Sequence, residues 1–474
     1  MEFNSMAFLW IFMPVSIILY YLIKEKYRNY LLVALSLIFY AWGDVKSVPL
    51  LLLSILINYI IAILMNKAKT IKKRKLAFII SILFNIGILV FFKYSNFIIL
   101  NINKLLKTRI NFKINSIPLS ISFYTFSAIS YMFDCYRKDA KIQKNIIKFA
   151  LYILFFPKLL MGPIEKYSDF EKQIDSRIEN KEKFVDGIKR FAYGLSKKVL
   201  IADTVAIIAD QTFKVSNYQN LTSPVAWLGA ICYMLQIYFD FSGYSDMAIG
   251  LSKMFGFDIK ENFDLPYTSQ SITEFWRRWH ISLGTWFKNY IYIPLGGNRK
   301  GKIRTYFNLI IVFIVTGIWH GASWNFLIWG AYNALLVVIE KFKLLELMKK
   351  NKIKLINCIY TDFAVLIGWV LFRANGFKNG IKYLKIMFTG NVLQNNIYPL
   401  QLYTLLKNRT IATIVIGILF CGILQIIFNK LKNASEIKKK YETYCEPFVI
   451  CILFIISIMT VVNGTYNSFV YAQF

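Results

Sequence analysis

Residues 303–340 read IRTYFNLIIVFIVTGIWHGASWNFLIWGAYNALLVVIE, an apolar stretch with a single histidine, His320, near its middle. Two limbs, 303–319 and 324–340, flank that histidine. Each limb has about 17 residues, roughly 25 Å as α-helix, which approaches the thickness of the hydrocarbon core of a bilayer. Basic residues stand before the first limb and after the second. The stretch therefore predicts two membrane helices that start and end on one side, with His320 at a tip deep in the membrane or toward its far side.

The rest of the chain has the same apolar character. Of its 474 residues, 57% are hydrophobic and 17% aromatic, whereas soluble domains are about 45–50% apolar. The net charge is +31, but a nucleic-acid-binding protein would not combine that charge with so much apolar sequence, so we expect no nucleic-acid partner. We predict an all-α polytopic membrane protein, with residues 1–474 forming a single membrane domain in the lipid bilayer. Further apolar runs occupy residues 50–65, 76–92, 411–428 and 448–462.

Clusters of lysine and arginine lie between the apolar runs, and they predict the orientation of the chain. Loops rich in these residues stay in the cytoplasm. Between residues 94 and 295 the helix topology cannot be assigned, because glycine, proline and charged residues interrupt the apolar runs. Residues 165–198 carry dense charges of both signs and predict interfacial or cytosolic amphipathic helices. The predicted cytoplasmic clusters are residues 67–75, 299–304, 341–354 and 430–440.

The six cysteines form no CxxC pair and mostly lie in or beside apolar runs. We therefore interpret them as small core residues and expect no metal site. The N-terminus has no basic region or cleavage site typical of a signal peptide, so it should remain as the first membrane helix.

Only two histidines occur, His280 and His320, and each directly follows a tryptophan. An ionisable side chain inside a membrane domain is costly and by default marks a functional site. Histidine can take a proton from a hydroxyl near neutral pH and return it to a leaving group such as a thiol. We therefore predict His320 as the general base, with His280 as an auxiliary catalytic residue. Asn325 lies close enough in sequence to orient an imidazole or a carbonyl.

The segment that contains His280 has the pattern of an aromatic helix. Ser271 and Glu274 match a capping box, and aromatic or apolar residues then recur at spacings of 3 and 4. This pattern predicts one helix with an aromatic face at the membrane interface. A purely interfacial helix would explain the pattern but not His280, for which we keep a role in orienting a substrate or polarising a carbonyl. The recurring residues are Trp276, Trp279, Leu283, Trp286 and Tyr290.

Four segments carry a resemblance to a known family: FFPKLLMGPIEKYSDF (155–170), YFDFSGYSDMAIGLSKMFGF (238–257), ENFDLPYTSQSITEFWRRWHISLGTWFKNYIYIPLGGNRKG (261–301) and TGIWHGASWNFLIWGAYN (316–333). Together they span residues 155–333. In this order they resemble the membrane-bound O-acyltransferase family, within it the bacterial branch of alginate and peptidoglycan O-acetyltransferases.

The resemblance implies a ring of about 11 or more transmembrane and re-entrant helices around a central tunnel. It places the family's invariant histidine at His320 and a second polar position at His280, with Trp319, Asn325 and Trp279 as tunnel or substrate residues. It further implies transfer of acetyl from a cytosolic thioester, with acetyl-CoA as donor and no bound cofactor, toward hydroxyls of an extracytoplasmic polysaccharide. We expect an extracytoplasmic or membrane-anchored acetyltransferase partner and a location in a bacterial inner membrane.

The C-terminal tail, residues 463–474, ends in the pattern F-x-Y-x-x-F. If helices 355–372 and 411–428 run out and back, the last helix, 447–462, delivers this tail to the extracytoplasmic side. There Tyr471 could carry the acyl group, because a phenol is a better leaving group than a sugar hydroxyl. The alternative is an aromatic anchor at the interface.

Two other functions remain open from the sequence. D-alanyl or another acyl transfer, as in teichoic-acid assembly, would use the same kind of site. A membrane transporter or flippase would account for the helices and basic loops, but not for the two Trp-His pairs. The sequence does not name the polymer.

Overall fold

The computed structural model describes residues 1–214, 216, 218–344, 346, 348, 353–390, 405–424 and 444–464. Helices account for nearly all regular structure in these ranges. No β-strand occurs among them, and Phe263 and Trp279 form an isolated β-bridge. The predicted all-α class is therefore confirmed.

The described residues cluster into two compact units, each built from two stretches of chain. The first unit contains residues 1–191 and 245–260, and the second contains residues 192–244 and 261–474. This division does not test the prediction of one membrane domain, which stays a prediction.

The helices of the first stretch are α1 (Met13–Leu22), α2 (Glu25–Asp44), α3 (Val48–Lys67), α4 (Ile71–Leu89), α5 (Ser95–Leu106), α6 (Ile121–Arg137), α7 (Ile146–Leu154), α8 (Phe156–Leu159), α9 (Tyr167–Ile174) and α10 (Lys181–Ser196). They are followed by α11 (Asp203–Phe213), α12 (Ser223–Met254), α13 (Ile272–Arg278), α14 (Ile281–Phe287), α15 (Lys302–His320), α16 (Trp324–Ile339), α17 (Lys354–Arg373), α18 (Phe377–Thr389), α19 (Asn408–Ile418) and α20 (Glu446–Val462). α10 and α12 each contribute residues to both units.

Within the described ranges, five helical segments are long and apolar enough to cross a membrane: Glu25–Lys67, Ile71–Leu106, Ser223–Met254, Lys302–His320 and Lys354–Arg373. Shorter apolar helices occupy Phe8–Leu22, Asn408–Gly422 and Glu446–Val462. The multi-pass character predicted from the sequence is confirmed. The number of helices in a ring and the presence of a tunnel stay predictions.

A buried polar network joins two membrane helices of the first unit. Asn58 on α3 and Asn85 on α4 exchange amide hydrogen bonds of 3.2 and 2.7 Å. Ser81 on α4 donates to the Asn58 amide oxygen at 2.9 Å. Hydrogen bonds between side chains stabilise helix pairs in lipid, where no water competes for the polar groups. These residues therefore fix the contact of α3 with α4.

The hairpin expected from residues 303–340 is present in the second unit as α15 and α16. The two helices approach closely at a pair of glycines, Gly317 and Gly330. A Cβ atom at Gly317 would lie 2.4 Å from the carbonyl oxygen of Phe326, and one at Gly330 would lie 2.5 Å from that of Phe313. Small residues of this kind allow membrane helices to pack backbone against backbone. The turn after His320 is therefore held by the tight packing of its two limbs.

Candidate active site

The segment around His280 is not the continuous helix that its aromatic spacing predicts. α13 ends at Arg278, Trp279 is extended, and His280 adopts a left-handed conformation with φ 47° and ψ 54°. α14 begins directly after it. The prediction of one helix was therefore wrong. A left-handed backbone is unfavourable for a side chain with a Cβ atom, so the surroundings of His280 must hold it.

Hydrogen bonds to Asn262 hold the backbone next to His280 in this conformation. The Asn262 backbone carbonyl accepts the N–H of Ile281 at 2.9 Å. Its amide oxygen accepts the backbone N–H of Ser282 at 3.2 Å and the Ser282 hydroxyl at 2.9 Å. These tertiary hydrogen bonds outweigh the local helical preference of the sequence, and they turn the chain so that His280 leaves the helical face.

The same amide oxygen fixes the tautomer of His280. Nδ1 of His280 lies 3.0 Å from Oδ1 of Asn262. Because the backbone N–H of Ser282 can only donate, the Asn262 atom that it meets is the oxygen, and the proton of the imidazole must be on Nδ1. Nε2 therefore carries the lone pair. It is buried and has no hydrogen-bond partner among the described residues.

His280 lies outside the five segments that could cross a membrane. Burial lowers the pKa of its imidazole to about 3, because a charged ring would lose its hydration. The imidazole is therefore neutral at physiological pH, and it presents a hydrogen-bond acceptor.

His320 is the last residue of α15 and is buried. Its ring is enclosed by aromatic side chains: the centroid distances are 4.9 Å to Trp319, 5.2 Å to Trp329 and 5.1 Å to Phe372. His320 thus stands at the C-terminal end of a helix within a shell of aromatic rings, and its role as the general base stays a prediction.

The structure brings the two histidines to one indole. The ring of Trp319 lies 4.9 Å from that of His320 and 6.3 Å from that of His280. Phe241 packs edge-on against His280 at 4.6 Å. The two Trp-His pairs, 40 residues apart in sequence, thus contribute to one buried aromatic site inside the second unit.

Asn325 and Trp279 occupy supporting positions in this site. The Asn325 amide nitrogen donates to the carbonyl oxygens of Phe372 and Ala374 at 3.4 and 3.3 Å, and its amide oxygen accepts the Ser323 hydroxyl. Asn325 therefore ties the start of α16 to the end of α17, and its expected role in orienting an imidazole or a carbonyl of the reaction stays a prediction. Trp279 is buried against Trp369 and Phe263, with centroid distances of 4.9 and 5.0 Å. Contacts of Trp279, Asn325 and Trp319 with a substrate stay predictions.

Tyr471 and the tail from residue 465 onward lie outside the described residues, as does the basic segment 430–440. The acyl-carrier role of Tyr471 therefore stays a prediction. In the described part of the chain, no group of three or more His, Cys, Asp or Glu side chains could hold a metal ion. All six cysteines are free thiols; Cys445 and Cys451 are exposed, whereas three of the others are buried.

Two residues that position the site were not found from the sequence. Asn262 stands 18 residues before His280, and nothing in its spacing marks the contact. Glu340 lies at the end of α16, where its carboxylate accepts the backbone N–H groups of Ile272 and Thr273 at 2.6 and 2.8 Å. It thereby caps the start of α13. The predicted cap was present in part, since the Ser271 hydroxyl accepts the N–H of Glu274 at 3.0 Å.

Comparison with known proteins tests the resemblance that the sequence carries. The sequence model of the membrane-bound O-acyltransferase family matches residues 105–372, more than half of the chain, and that range includes both histidines.

Curated relatives resemble all or part of the chain. A Pseudomonas putida protein named "Probable alginate O-acetylase AlgI" is 38% identical over 100% of both chains. A Helicobacter pylori peptidoglycan O-acetyltransferase is 31% identical over 100% of this chain and 97% of its own length. A Bacillus subtilis teichoic acid D-alanyltransferase is 29% identical over 55% of this chain and 70% of its own length. The chain is therefore a multi-pass membrane O-acyltransferase and belongs to the membrane-bound O-acyltransferase family.

Proposed function

We propose that this enzyme transfers acetyl from a cytosolic thioester, acetyl-CoA, toward hydroxyl groups of an extracytoplasmic polysaccharide in the bacterial envelope. The observation that carries the proposal is the pair of buried imidazoles that flank the indole of Trp319. Relatives that match the whole chain are named as O-acetylating enzymes of alginate and peptidoglycan, whereas the teichoic acid D-alanyltransferase matches 55% of it. This difference in coverage favours acetyl over D-alanyl as the transferred group.

His320 acts as the general base in the transfer. Its imidazole removes the proton of the acceptor hydroxyl as the oxygen attacks the thioester carbonyl. The tetrahedral intermediate then collapses, the carbon–sulfur bond breaks, and the imidazolium returns the proton to the departing thiolate. The C-terminal end of α15 supports the transient positive charge on His320. The surrounding rings exclude water, which would otherwise compete for the acetyl group.

His280 orients the acceptor. A neutral imidazole whose Nδ1–H is held by Asn262 offers Nε2 as a hydrogen-bond acceptor. Such a group can hold a hydroxyl, which donates, but it cannot polarise a carbonyl oxygen, which needs a donor. The sequence leaves two roles open for His280, to orient a substrate or to polarise a carbonyl. The tautomer supports the first role, with a hydroxyl as the group that is oriented.

Tyr471 receives the acetyl group first and passes it to a secreted or membrane-anchored acetyltransferase partner, which completes transfer to the polymer. A phenyl ester remains reactive enough to acylate a sugar hydroxyl, because the phenol pKa is about 10. What supports a partner is that helices of membrane type dominate the described chain.

The test uses the purified full-length enzyme with acetyl-labelled acetyl-CoA, followed by peptide mass spectrometry and measurement of CoA release. We expect label on Tyr471 in the wild type and none in Tyr471→Phe. His320→Gln should lower CoA release by about 10²–10⁴-fold, the usual contribution of general acid–base catalysis.

Matched controls separate chemistry from folding. Tyr444→Phe, at an exposed position before α20, should keep both label and CoA release. D-alanyl transfer would be supported instead if labelled D-alanine from an acyl carrier protein entered the enzyme and acetyl did not. Full CoA release by a folded His320→Gln enzyme would contradict the assignment of the base.

A further inference from the structure

A polar groove of about 730 Å³ lies at the junction of α1 and α2 in the first unit. Four cationic side chains and three carboxylates line this groove. The surface around membrane helices is expected to be apolar instead. Basic residues recur in the neighbouring segments, KEKYR at 24–28 and KDAKIQK at 138–144. Such segments favour the cytoplasmic side of a membrane.

Two arginines form the base of the groove. Arg177 donates from Nη1 to the Asn29 amide oxygen and to the Ile174 carbonyl, both at 2.7 Å, and from Nε to the Tyr20 hydroxyl at 2.7 Å. Arg28 donates from Nε to the Tyr20 carbonyl oxygen at 3.2 Å. The side chains of Arg177 and Arg28 are 7% and 14% exposed. Both guanidinium groups are therefore held rigidly.

One carboxylate, Glu179, pairs with both arginines. A second carboxylate, the exposed Glu25, lies 3.9 Å from Nη1 of Arg28. The groove as a whole, with four cations against three carboxylates, keeps one net positive charge. The hydrogen bonds of Arg28 and Arg177 use Nε and Nη1, and the Nη2 group of each has no hydrogen-bond partner in the described ranges. Paired guanidinium donors of this kind suit the oxygens of a phosphate group.

The rim of the groove carries charges of both signs. Lys148 pairs with Asp175 at 2.6 Å, and Glu25 is 89% exposed beside Lys26. Exposed carboxylates at the rim repel a bare polyanion but attract an ammonium group. The groove therefore complements a ligand with a phosphate at its inner end and an ammonium at its outer end.

The surface next to the groove fits the tail of such a ligand. α1 presents Val15, Ile18 and Leu22 outward, and each is strongly exposed. Tyr21 and Tyr30 stand at the groove with exposed rings, in the manner of aromatic residues at a membrane interface. Acyl chains that lie along α1 would bring a lipid headgroup to the groove.

We infer that this groove binds the zwitterionic headgroup of a phospholipid of the phosphoethanolamine type. Its phosphate contacts the Nη2 groups of Arg28 and Arg177, and its ammonium lies near Glu25 and Asp175. The inference does not rest on the proposed acetyl transfer.

Native mass spectrometry of the full-length enzyme in detergent tests the inference, with phosphatidylethanolamine or phosphatidylglycerol added at known concentration. We expect the wild type to bind phosphatidylethanolamine about tenfold more tightly than phosphatidylglycerol, the effect of about one charge-assisted interaction. Arg28→Gln should weaken binding of both lipids by about tenfold. Arg28→Gln could disturb folding, so a second variant at an exposed position serves as a check. Lys26→Gln, at the rim, should also weaken binding of both lipids.

The carboxylates supply the discriminating variants. Glu25→Gln and Asp175→Asn should remove the preference for phosphatidylethanolamine and raise binding of phosphatidylglycerol. Arg304→Gln, on the exposed start of α15 in the second unit, should leave lipid binding unchanged. Equal binding of the two lipids by wild type would overturn the inference. So would displacement of bound lipid by free CoA, which would assign the groove to a soluble phosphate ligand.

Discussion

Asn262 determines what His280 can do, because its amide oxygen holds the proton on Nδ1 and leaves Nε2 as the acceptor. Asn262→Asp should change the charge state of the ring. A carboxylate at this place favours the imidazolium, so the pKa of His280 rises from about 3. Activity that needs a neutral Nε2 is then lost as the pH falls through the raised pKa. The pH profile of CoA release between about pH 5 and 9 measures this shift, since wild-type His280 stays neutral over that range.

The control for this prediction is Asn379→Asp on α18, where the amide donates only to the Asn375 carbonyl at 2.7 Å. It adds the same charge without contacting an imidazole, so its pH profile should match that of the wild type. An Asn262→Asp enzyme with an unchanged acidic limb would show that the protonation state of His280 does not limit the reaction.

The candidate residues could be recognised from the sequence only where they are chemically rare. His280 and His320 are the only histidines of the chain, and the cost of ionisable groups in lipid made them conspicuous. Asn262 is one of many asparagines, and its role depends on a turn that brings residues 262 and 280 together. A tertiary contact of this kind leaves no periodic signal in the sequence.

At the level of helices, the close approach of α15 and α16 should tolerate no added carbon at Gly317. A Cβ atom there would lie 2.4 Å from the backbone oxygen of Phe326, so a helix must shift. Gly317→Ala should lower the free energy of unfolding by about 1–3 kcal/mol, the usual cost of overpacking. Thermal unfolding in detergent measures this change.

Gly87→Ala on α4 is the matched control, because no atom lies within 4 Å of the added carbon. It should leave the unfolding temperature unchanged or raise it, since alanine favours helix over glycine. Equal effects of the two substitutions would contradict the packing explanation and point to helix propensity alone.

Glu340 links the end of α16 to the start of α13 through two backbone N–H groups and the Thr273 hydroxyl. Glu340→Ala leaves these buried donors without their acceptor, and we expect a loss of about 2–3 kcal/mol in unfolding free energy. Glu340→Gln, which keeps one acceptor oxygen, should lose less. Glu346→Ala, at an exposed position farther along the chain, should leave the unfolding free energy unchanged. The unfolding temperatures of the three variants in one detergent measure these differences.

Helices could be predicted where hydrophobic length alone specifies them. The expected limbs 303–319 and 324–340 correspond to Lys302–His320 and Trp324–Ile339, and 447–462 corresponds to Glu446–Val462. α12 was not found, because its glycines and Asp240 resemble interruptions in an apolar run. In the structure Gly243 instead allows close packing: a Cβ there would lie 2.7 Å from the Gly194 carbonyl oxygen.

Over the whole molecule, the distribution of basic residues predicts which helix ends face the cytoplasm. One contact within the first unit indicates that two of these helix ends lie on the same side of the membrane. Arg74, in the basic segment at the start of α4, donates to the carbonyl oxygens of Cys135 and Tyr136 at 2.9 and 3.0 Å. The end of α6 therefore lies beside the start of α4, and residues 138–144 should be cytoplasmic together with residues 67–75.

Fusions of alkaline phosphatase, which is active only after export, test this orientation and the location of the C-terminus. A fusion after Ala140 should be inactive, because that position follows α6 on the cytoplasmic side. A fusion after Phe474 should be active, because α20 delivers the tail outward from the predicted cytoplasmic segment 430–440. A cytoplasmic fluorescent reporter at the same two positions should give the opposite pattern, which controls for expression. If the fusion after Phe474 were inactive and its fluorescent counterpart bright, Tyr471 would lie on the donor side, and it could not carry acetyl to an extracytoplasmic partner.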